Sequence, residues 1–323
     1  MYYCIVNPSA RSGKGKEIWK KLEKSFKDRG LEFRAAFTKG PGHATELAHQ
    51  ITSAEREPSD IPLKIVVLGG DGTLNEAING INDFDKVLVG YIPIGSSNDF
   101  SRDLDLPKDT QEIVDRIVEG KELRALDLGR LTYNNMSDTF SRLHDENISK
   151  VRIFDVSAGI GFDAAVCEEA LSSGTKNFFN KLGLGKLTYG SIAIRQLMGA
   201  QKIPCDIELD DGTTHHLDHF LFIATMIHHY EGGGFNMTPT ADLTDGLFDL
   251  CVIGNMSKPA MFRALPFAYF GKHYRFKGIY HYTARKLTIK TAKPLWVHTD
   301  GEVSVKSDNI TLECLQQKLH LMI

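Results

Sequence analysis

The feature that most constrains this chain is one pattern repeated three times over residues 1–100. An apolar, β-rich run ends in a loop of small residues, and helix-compatible sequence follows. The runs are Tyr2 to Val6 before Asn7-Pro8-Ser9, Leu63 to Leu68 before Gly69-Gly70-Asp71-Gly72, and Val87 to Ile94 before Gly95-Ser96-Ser97-Asn98. This is βα architecture, and it predicts an α/β unit built on an open parallel sheet. Ligands of such sheets sit in the crevice beyond the carboxyl ends of the strands, where all three loops gather.

The 323 residues exceed the usual size of a single core, so two compact units with a cleft between them are expected. The boundary falls near residue 127. From Leu128 the texture changes to short apolar or alternating segments punctuated by Asp210-Asp211-Gly212, Thr244-Asp245-Gly246 and Thr299-Asp300-Gly301. Residues 128–323 therefore read as a β-rich second domain, whose last residues are free to return to the first. The polar stretch Thr132 to Lys150 has no period and reads as a long hairpin loop or insertion.

A net charge of -3 argues against a dedicated nucleic-acid binder. No run reaches the 18 or so apolar residues of a spanning helix, and the first residues lack the order of a signal peptide, so a cytoplasmic protein is expected. Cys4, Cys167, Cys205, Cys251 and Cys314 are scattered and never in CxxC spacing, which fits reduced thiols and no zinc site.

The segment Leu63 to Gly80, LKIVVLGGDGTLNEAING, carries the most chemical information. Glycines let the backbone approach a phosphate, the following helix N-terminus offers N–H donors, and Asp71 could hold Mg2+ directly or through water. Thr73-Leu74-Asn75-Glu76 also fits a capping box, which alone would explain Thr73 and Glu76. It leaves Gly69, Gly70 and Asp71 unexplained. Walker A, HExxH and GxSxG sequences are all missing. Gly159-Ile160-Gly161-Phe162-Asp163-Ala164 matches GxGxxA after a strand-like run and keeps a dinucleotide-binding oxidoreductase as a rival, although it sits mid-chain.

Taken in order along nearly the whole chain, these motifs resemble the diacylglycerol kinase catalytic family, which includes bacterial soluble lipid kinases and the sphingosine kinases. The resemblance rests on Asn7-Pro8-Ser9, Thr38 with His43-Ala44, GGDGTLNEAING, Gly95 to Phe100, Asp127-Leu128-Gly129, Ala158 to Asp163, Gly232-Gly233-Gly234, Ala241 to Asp249 and Asp300-Gly301-Glu302. It implies an ATP- and Mg2+-dependent kinase acting on a lipid hydroxyl, most simply diacylglycerol, in a cleft between an α/β domain and a β-sandwich-like domain. NAD kinases share the GGDGT loop, but Asn75-Glu76 and GSSNDF look like the lipid-kinase branch.

By the same resemblance the nucleotide lies against Asn7, Pro8, Ser9, Ala10, Arg11, Thr38, Gly69 to Glu76 (Gly69, Gly70, Asp71, Gly72, Thr73, Leu74, Asn75, Glu76) and Ser97. Asp300 is the implied general base, with Glu302 as active-site support; Asp-Gly is otherwise a strong hairpin dipeptide. Asp71 and Asp127 would complete a water-bridged network around the Mg2+ of ATP. Asp242, Asp245 and the carbonyl of Leu247 are implied ligands of a second, structural Mg2+, with a plain acidic turn as the alternative. His215, His216 and His219 have metal-like spacing, but they follow a turn and fall on alternating strand positions.

A kinase without a membrane span reaches a lipid by docking peripherally. Residues 11–29 carry eight basic residues against three acidic ones, which suits either an anionic lipid surface or an ordinary solvated helix. Phe178, Phe179, Leu182, Leu184, Leu187 and Tyr189 could line an acyl chain, although core packing accounts for most such residues. A homodimer is left open.

Overall fold

The structure is a computed structural model that describes residues 1–54, 62–95, 98–120, 122–137, 149–172, 195 and 199–323. Thr132 to Lys150 lies partly outside these residues, and the apolar set Phe178 to Tyr189 lies wholly outside them, as does Ser97.

Strands β1 (Tyr2–Val6), β2 (Phe33–Phe37), β3 (Leu63–Gly69) and β4 (Val87–Pro93) pair in parallel in the order β4-β3-β1-β2. Continuous burial along β1 and β3 explains why they read as unbroken apolar runs: helices cover both faces. On one face α3 (His43–Ser53) and α4 (Asp71–Asn79) pack Ala44, Ala48, Leu74 and Ile78 onto Ile5, Ile65 and Val67. On the other, α2 (Gly15–Asp28) and α6 (Thr110–Glu119) bring Trp19, Leu22, Phe26, Ile113 and Val114 onto Cys4, Val66 and Leu68. Two short helices, α1 (Ala10–Gly13) and α5 (Asp99–Arg102), follow β1 and β4.

The second unit is antiparallel. It contains β5 (Leu123–Tyr133), β6 (Val151–Phe154), β7 (Ser157–Gly161), helix α7 (Phe162–Ser172), β8 (Ile203–Leu209) and β9 (Thr214–Met226). The small hairpin β10 (Tyr230–Glu231) and β11 (Phe235–Asn236) follows, then β12 (Phe248–Gly254), α8 (Lys258–Tyr269), β13 (Ile279–Ala284), β14 (Lys286–Thr299) and β15 (Glu302–Met322). β8 alternates buried and exposed residues along its length, the period of a strand with one face on a core. That core includes Phe154, Ile160, Ile207, Phe220, Leu250, Val297 and Leu312.

Two strands join the units. β15 pairs antiparallel with β14 at its start, and at its end Leu321 and Met322 lie parallel to Val89 and Gly90 of β4. A register shift between Leu315 and Leu319, with Gln317 at φ 52°, marks where β15 passes from one unit to the other. β5 does the same, placing Leu126 and Leu128 in the first core and Leu131 and Tyr133 in the second. Among the described residues thirteen strands thus belong to one continuous sheet, and the cleft lies where the carboxyl ends of its parallel strands meet the second unit. No helix among the described residues is long and apolar enough to cross a membrane.

Candidate active site

The floor of the cleft is the turn from β3 into α4. A Cβ on Gly69 would stand 2.5 Å from that of Thr73, and one on Gly95 would stand 2.6 Å from the Gly70 Cα, so two strand-end loops meet backbone to backbone. Asn7 braces them, donating from Nδ2 to Thr73 Oγ1 at 2.9 Å while its Oδ1 accepts the Ser9 N–H at 3.0 Å. Pro8, Ser9, Ala10 and the exposed Arg11 rim the same end of the sheet, and the Thr38 N–H donates to the Val6 carbonyl at 2.9 Å. No side chain among the described residues caps α4, whose half-buried first residues offer their N–H groups to an anion.

The capping-box expectation is not met. The N-cap is Gly70 in extended conformation, so Thr73 lies inside the first turn and is used by Asn7. Glu76 reaches across to another helix, where its Oε2 accepts the Ala44 N–H of α3 at 3.2 Å. Leu74 is fully buried in the core, so its side chain packs and only its backbone belongs to the loop.

Above the loop stand carboxylates from both units. Asp71, first residue of α4, accepts the Asp99 N–H at 3.0 Å and the Tyr91 hydroxyl at 3.2 Å. Burial raises its carboxyl to about 6; the Asp99 N–H opposes this, and the charges of Asp99 and Asp300 add to it.

Asp300 occupies the two-residue turn between β14 and β15, with φ 48° there and 77° at Gly301, the left-handed pair of a tight hairpin. The turn and the site are thus the same residue. Its Oδ1 accepts the Val156 and Ser157 N–H groups at 2.9 and 2.8 Å, and its Oδ2 accepts the Asp155 N–H at 3.0 Å and Asn75 Nδ2 at 2.5 Å. Four donors fix this carboxylate, and the one from Asn75 crosses the cleft from α4.

Sequence reading missed three members of this constellation. Asp155 is fully buried, and its Oδ1 accepts Asn75 Nδ2 at 3.2 Å; burial and the charge of Asp300 push it well above the usual carboxylate range. Arg152 on β6 lies 3.4 Å from both Asn75 Oδ1 and Glu302 Oε2, supplying a cation in the cleft. Burial raises Glu302 against the pull of Arg152, with Glu76 and Asp300 adding to the rise. Asp99 was visible inside GSSNDF without a role. Its Oδ2 accepts the Gly233 N–H at 2.7 Å, and Arg102 pairs with its Oδ1 at 3.0 Å, so it ties α5 to the second unit.

Asp127 sits elsewhere than the expected network with Asp71. It is buried, accepts the Gly246 and Gln317 N–H groups at 2.7 Å each, and donates its own N–H to the Leu243 carbonyl at 2.8 Å. It pins the β15 crossover to the acidic turn, because those partners lie on the bulge and on that turn. In the turn itself Asp242 Oδ1 accepts the Thr244 N–H and hydroxyl at 2.9 and 2.8 Å, and Asp245 Oδ1 accepts the Leu247 N–H at 2.9 Å. These bonds shape the acidic turn. Among the described residues no three His, Cys, Asp or Glu side chains converge to hold a metal, the His215, His216, His219 set included; His216 pairs with Asp206 at 2.6 Å.

The GxGFDA stretch is not a dinucleotide fingerprint. β7 pairs antiparallel with β9 and β14, so the strand and helix do not form a parallel βαβ unit. Gly159 answers to packing: a Cβ there would lie 2.1 Å from Asp163 Oδ2 and 2.5 Å from His298 Nε2. Those two pair at 3.1 Å inside the protein. Burial opposes charge on His298, but Asp163 and Glu231 outweigh it and raise the ring to about 9.

A glycine-lined anion loop on one unit, faced by an anchored carboxylate from a second, defines a two-domain phosphotransferase of the kinase type. Residues 1–131 match the family model described as the diacylglycerol kinase catalytic domain, and residues 156–323 match the YegS C-terminal NAD kinase beta sandwich-like domain. A Bacillus subtilis protein named "Putative lipid kinase YtlR" is 30% identical over 94% of this chain and 93% of its own length. The diacylglycerol kinase of the same organism is 26% identical over 92% of this chain and 88% of its own. A crystal structure titled as a diacylglycerol kinase from Bacillus anthracis superimposes with a TM-score of 0.68 at 24% identity, covering 99% of this chain and 96% of that one. The chain belongs to the diacylglycerol kinase family of lipid kinases, an α/β catalytic domain followed by a sandwich-like β domain.

Proposed function

We propose that the cleft transfers the γ-phosphoryl group of Mg·ATP to the hydroxyl of a membrane lipid alcohol, with diacylglycerol as acceptor and phosphatidic acid as product. The observation that carries this reading is the Asn75 bridge, which brings Asp300 of the second unit over the α4 helix that the anion loop leads into. The Gly70 to Gly72 backbone and the α4 N-terminus cradle the phosphates. Asp71 supplies a carboxylate for the magnesium that accompanies the nucleotide, a hard cation suited to oxygen ligands. Arg152 stands where it can offset charge on the transferred group.

The lipid oxygen forms the new bond to phosphorus as the bond to the ADP oxygen breaks, and the hydroxyl proton passes to Asp300. All four acceptor positions of that carboxylate are filled, so protonation at Oδ2 requires one donor to yield. Asn75 is the side chain among them, and with other acceptors at hand in Asp155 and the Ile153 carbonyl it is the donor that yields; the other three are backbone.

The test is incubation of the purified protein with Mg·ATP and a bacterial total lipid extract, followed by mass spectrometry of the lipids. A phosphorylated diacylglycerol is the expected product. A phosphate on a different lipid alcohol would move the acceptor and keep the mechanism, and no phosphorylated lipid at all would remove the reading.

A further inference from the structure

Seven large apolar side chains are exposed among the described residues, and three of them fall between positions 265 and 270: Leu265 at 44%, Tyr269 at 48% and Phe270 at 69%. Such clustering is not the single scatter of ordinary surface residues. Leu265 and Tyr269 are four apart on α8 and share an exposed face, while Met261, Ala264 and Ala268 turn the adjoining face into the core. The same segment carries Arg263, Lys272, Arg275 and Lys277, all exposed. Residues 255–280 contain no aspartate or glutamate, in a chain whose net charge is -3. An exposed apolar wedge on a segment whose charged side chains are all cations has the chemistry of a surface that enters an anionic bilayer interface.

The patch is coupled to the cleft by one hairpin. Tyr269 packs edge-on against Phe235 of β11 at 5.7 Å. The same hairpin places Glu231 Oε1 2.6 Å from Ser157 Oγ and the Gly233 N–H 2.7 Å from Asp99 Oδ2. The basic helix α2 lacks this combination. Its Trp19, Leu22 and Phe26 are buried, and Lys24 and Lys27 pair with Asp28 and Glu23 on the same helix.

We infer that the α8 face, with Leu265, Tyr269 and Phe270 as the wedge, docks this protein on anionic lipid bilayers and holds the cleft beside the membrane. The inference rests on the lipid-kinase reading for its purpose, but its test reads binding and needs no turnover.

Binding is measured by co-sedimentation with vesicles of phosphatidylcholine alone and of phosphatidylcholine and phosphatidylglycerol in equal parts. The wild type binds the anionic vesicles. The pairs Leu265→Glu with Phe270→Glu and Arg263→Glu with Lys277→Glu each lower partitioning by on the order of tenfold or more. Lys20→Glu with Lys21→Glu on α2 lowers it far less. Turnover on a water-soluble, short-chain lipid alcohol is retained in the α8 variants and reports that they are folded; Phe270→Ser alone serves if a pair is not.

Undiminished binding of the α8 variants, greater loss in the α2 variant, or a wild type that ignores anionic vesicles overturns the inference. So does a change of oligomeric state in the α8 variants with vesicle binding intact, which would make the patch a contact between copies. If the wild type binds vesicles through α8 but phosphorylates no short-chain lipid, the docking face stands and the kinase reading fails.

Discussion

Replacing Asp300 by Asn keeps the shape of the side chain and removes its charge. Backbone strain is not the issue, because Asn tolerates the left-handed φ of 48° found here as well as Asp does. Hydrogen bonding is. The retained oxygen can still face the Val156 and Ser157 N–H groups, but the new amide would point its own hydrogens at the Asp155 N–H and at Asn75 Nδ2. Two donors left unmatched at about 1–3 kcal/mol each predict a loss of roughly 2–6 kcal/mol in stability. That must be measured first, by denaturant titration.

In the folded fraction, loss of the proton acceptor lowers the rate of phosphoryl transfer by about a hundred- to ten-thousandfold. ATP binding, followed by equilibrium titration, stays nearly unchanged, since Asn7, Thr73 and the glycine loop are untouched. Asn75→Ala separates the two effects: it removes the bridge, leaves the carboxylate, and slows transfer less. A folded Asp300→Asn protein whose turnover is within about tenfold of wild type would refute the assignment of Asp300 as base.

Three further outcomes follow from individual contacts. Gly159→Ala forces a methyl group onto Asp163 and the buried His298 and lowers stability by roughly 3 kcal/mol in a denaturant titration; an unchanged midpoint would mean that the pair is not rigid. Folding raises the Asp71 carboxyl from 3.8 to about 6, so its contribution to stability is full below pH 3.8 and is lost as pH rises through about 6, by on the order of 3 kcal/mol. Asp71→Asn should erase that part of the stability–pH curve, and an identical curve would contradict it. Asn7→Ala cuts the brace to Thr73 and Ser9 and raises the KM for ATP about five- to tenfold, with little change in kcat; an unaffected KM would remove Asn7 from the nucleotide site.

Strands β1, β3 and β4 of the parallel sheet were readable because they are largely buried on both faces and end in loops whose residue types have few other uses, whereas the edge strand β2 is mostly exposed and gave no such apolar run. The glycine loop was readable for the same reason: no cap or turn accounts for Gly69, Gly70 and Asp71 together. Asp300 was harder, since Asp-Gly is a hairpin dipeptide in any chain. Only the fold makes that hairpin end over α4. Asp155 and Arg152 were hidden in a run that reads as a strand, where one charged residue carries no local signal and acquires meaning only from the partner strand. Asp127 was misplaced because its partners, Gly246 and Gln317, are 119 and 190 residues away, and the bulge at Gln317 has no sequence signature. The capping box failed because the helix begins at Asp71, two residues before Thr73, with Gly70 as its N-cap, which leaves Thr73 to Asn7 and Glu76 to α3.

The most direct test follows radiolabelled γ-phosphate from ATP to detergent-dispersed diacylglycerol, with and without Mg2+, with NAD as a parallel acceptor and Asp300→Asn as control. Label entering the lipid only with Mg2+ and the intact aspartate is the predicted result. Label entering NAD, or no acceptor, would mean that a phosphate loop common to several kinases serves a different reaction here.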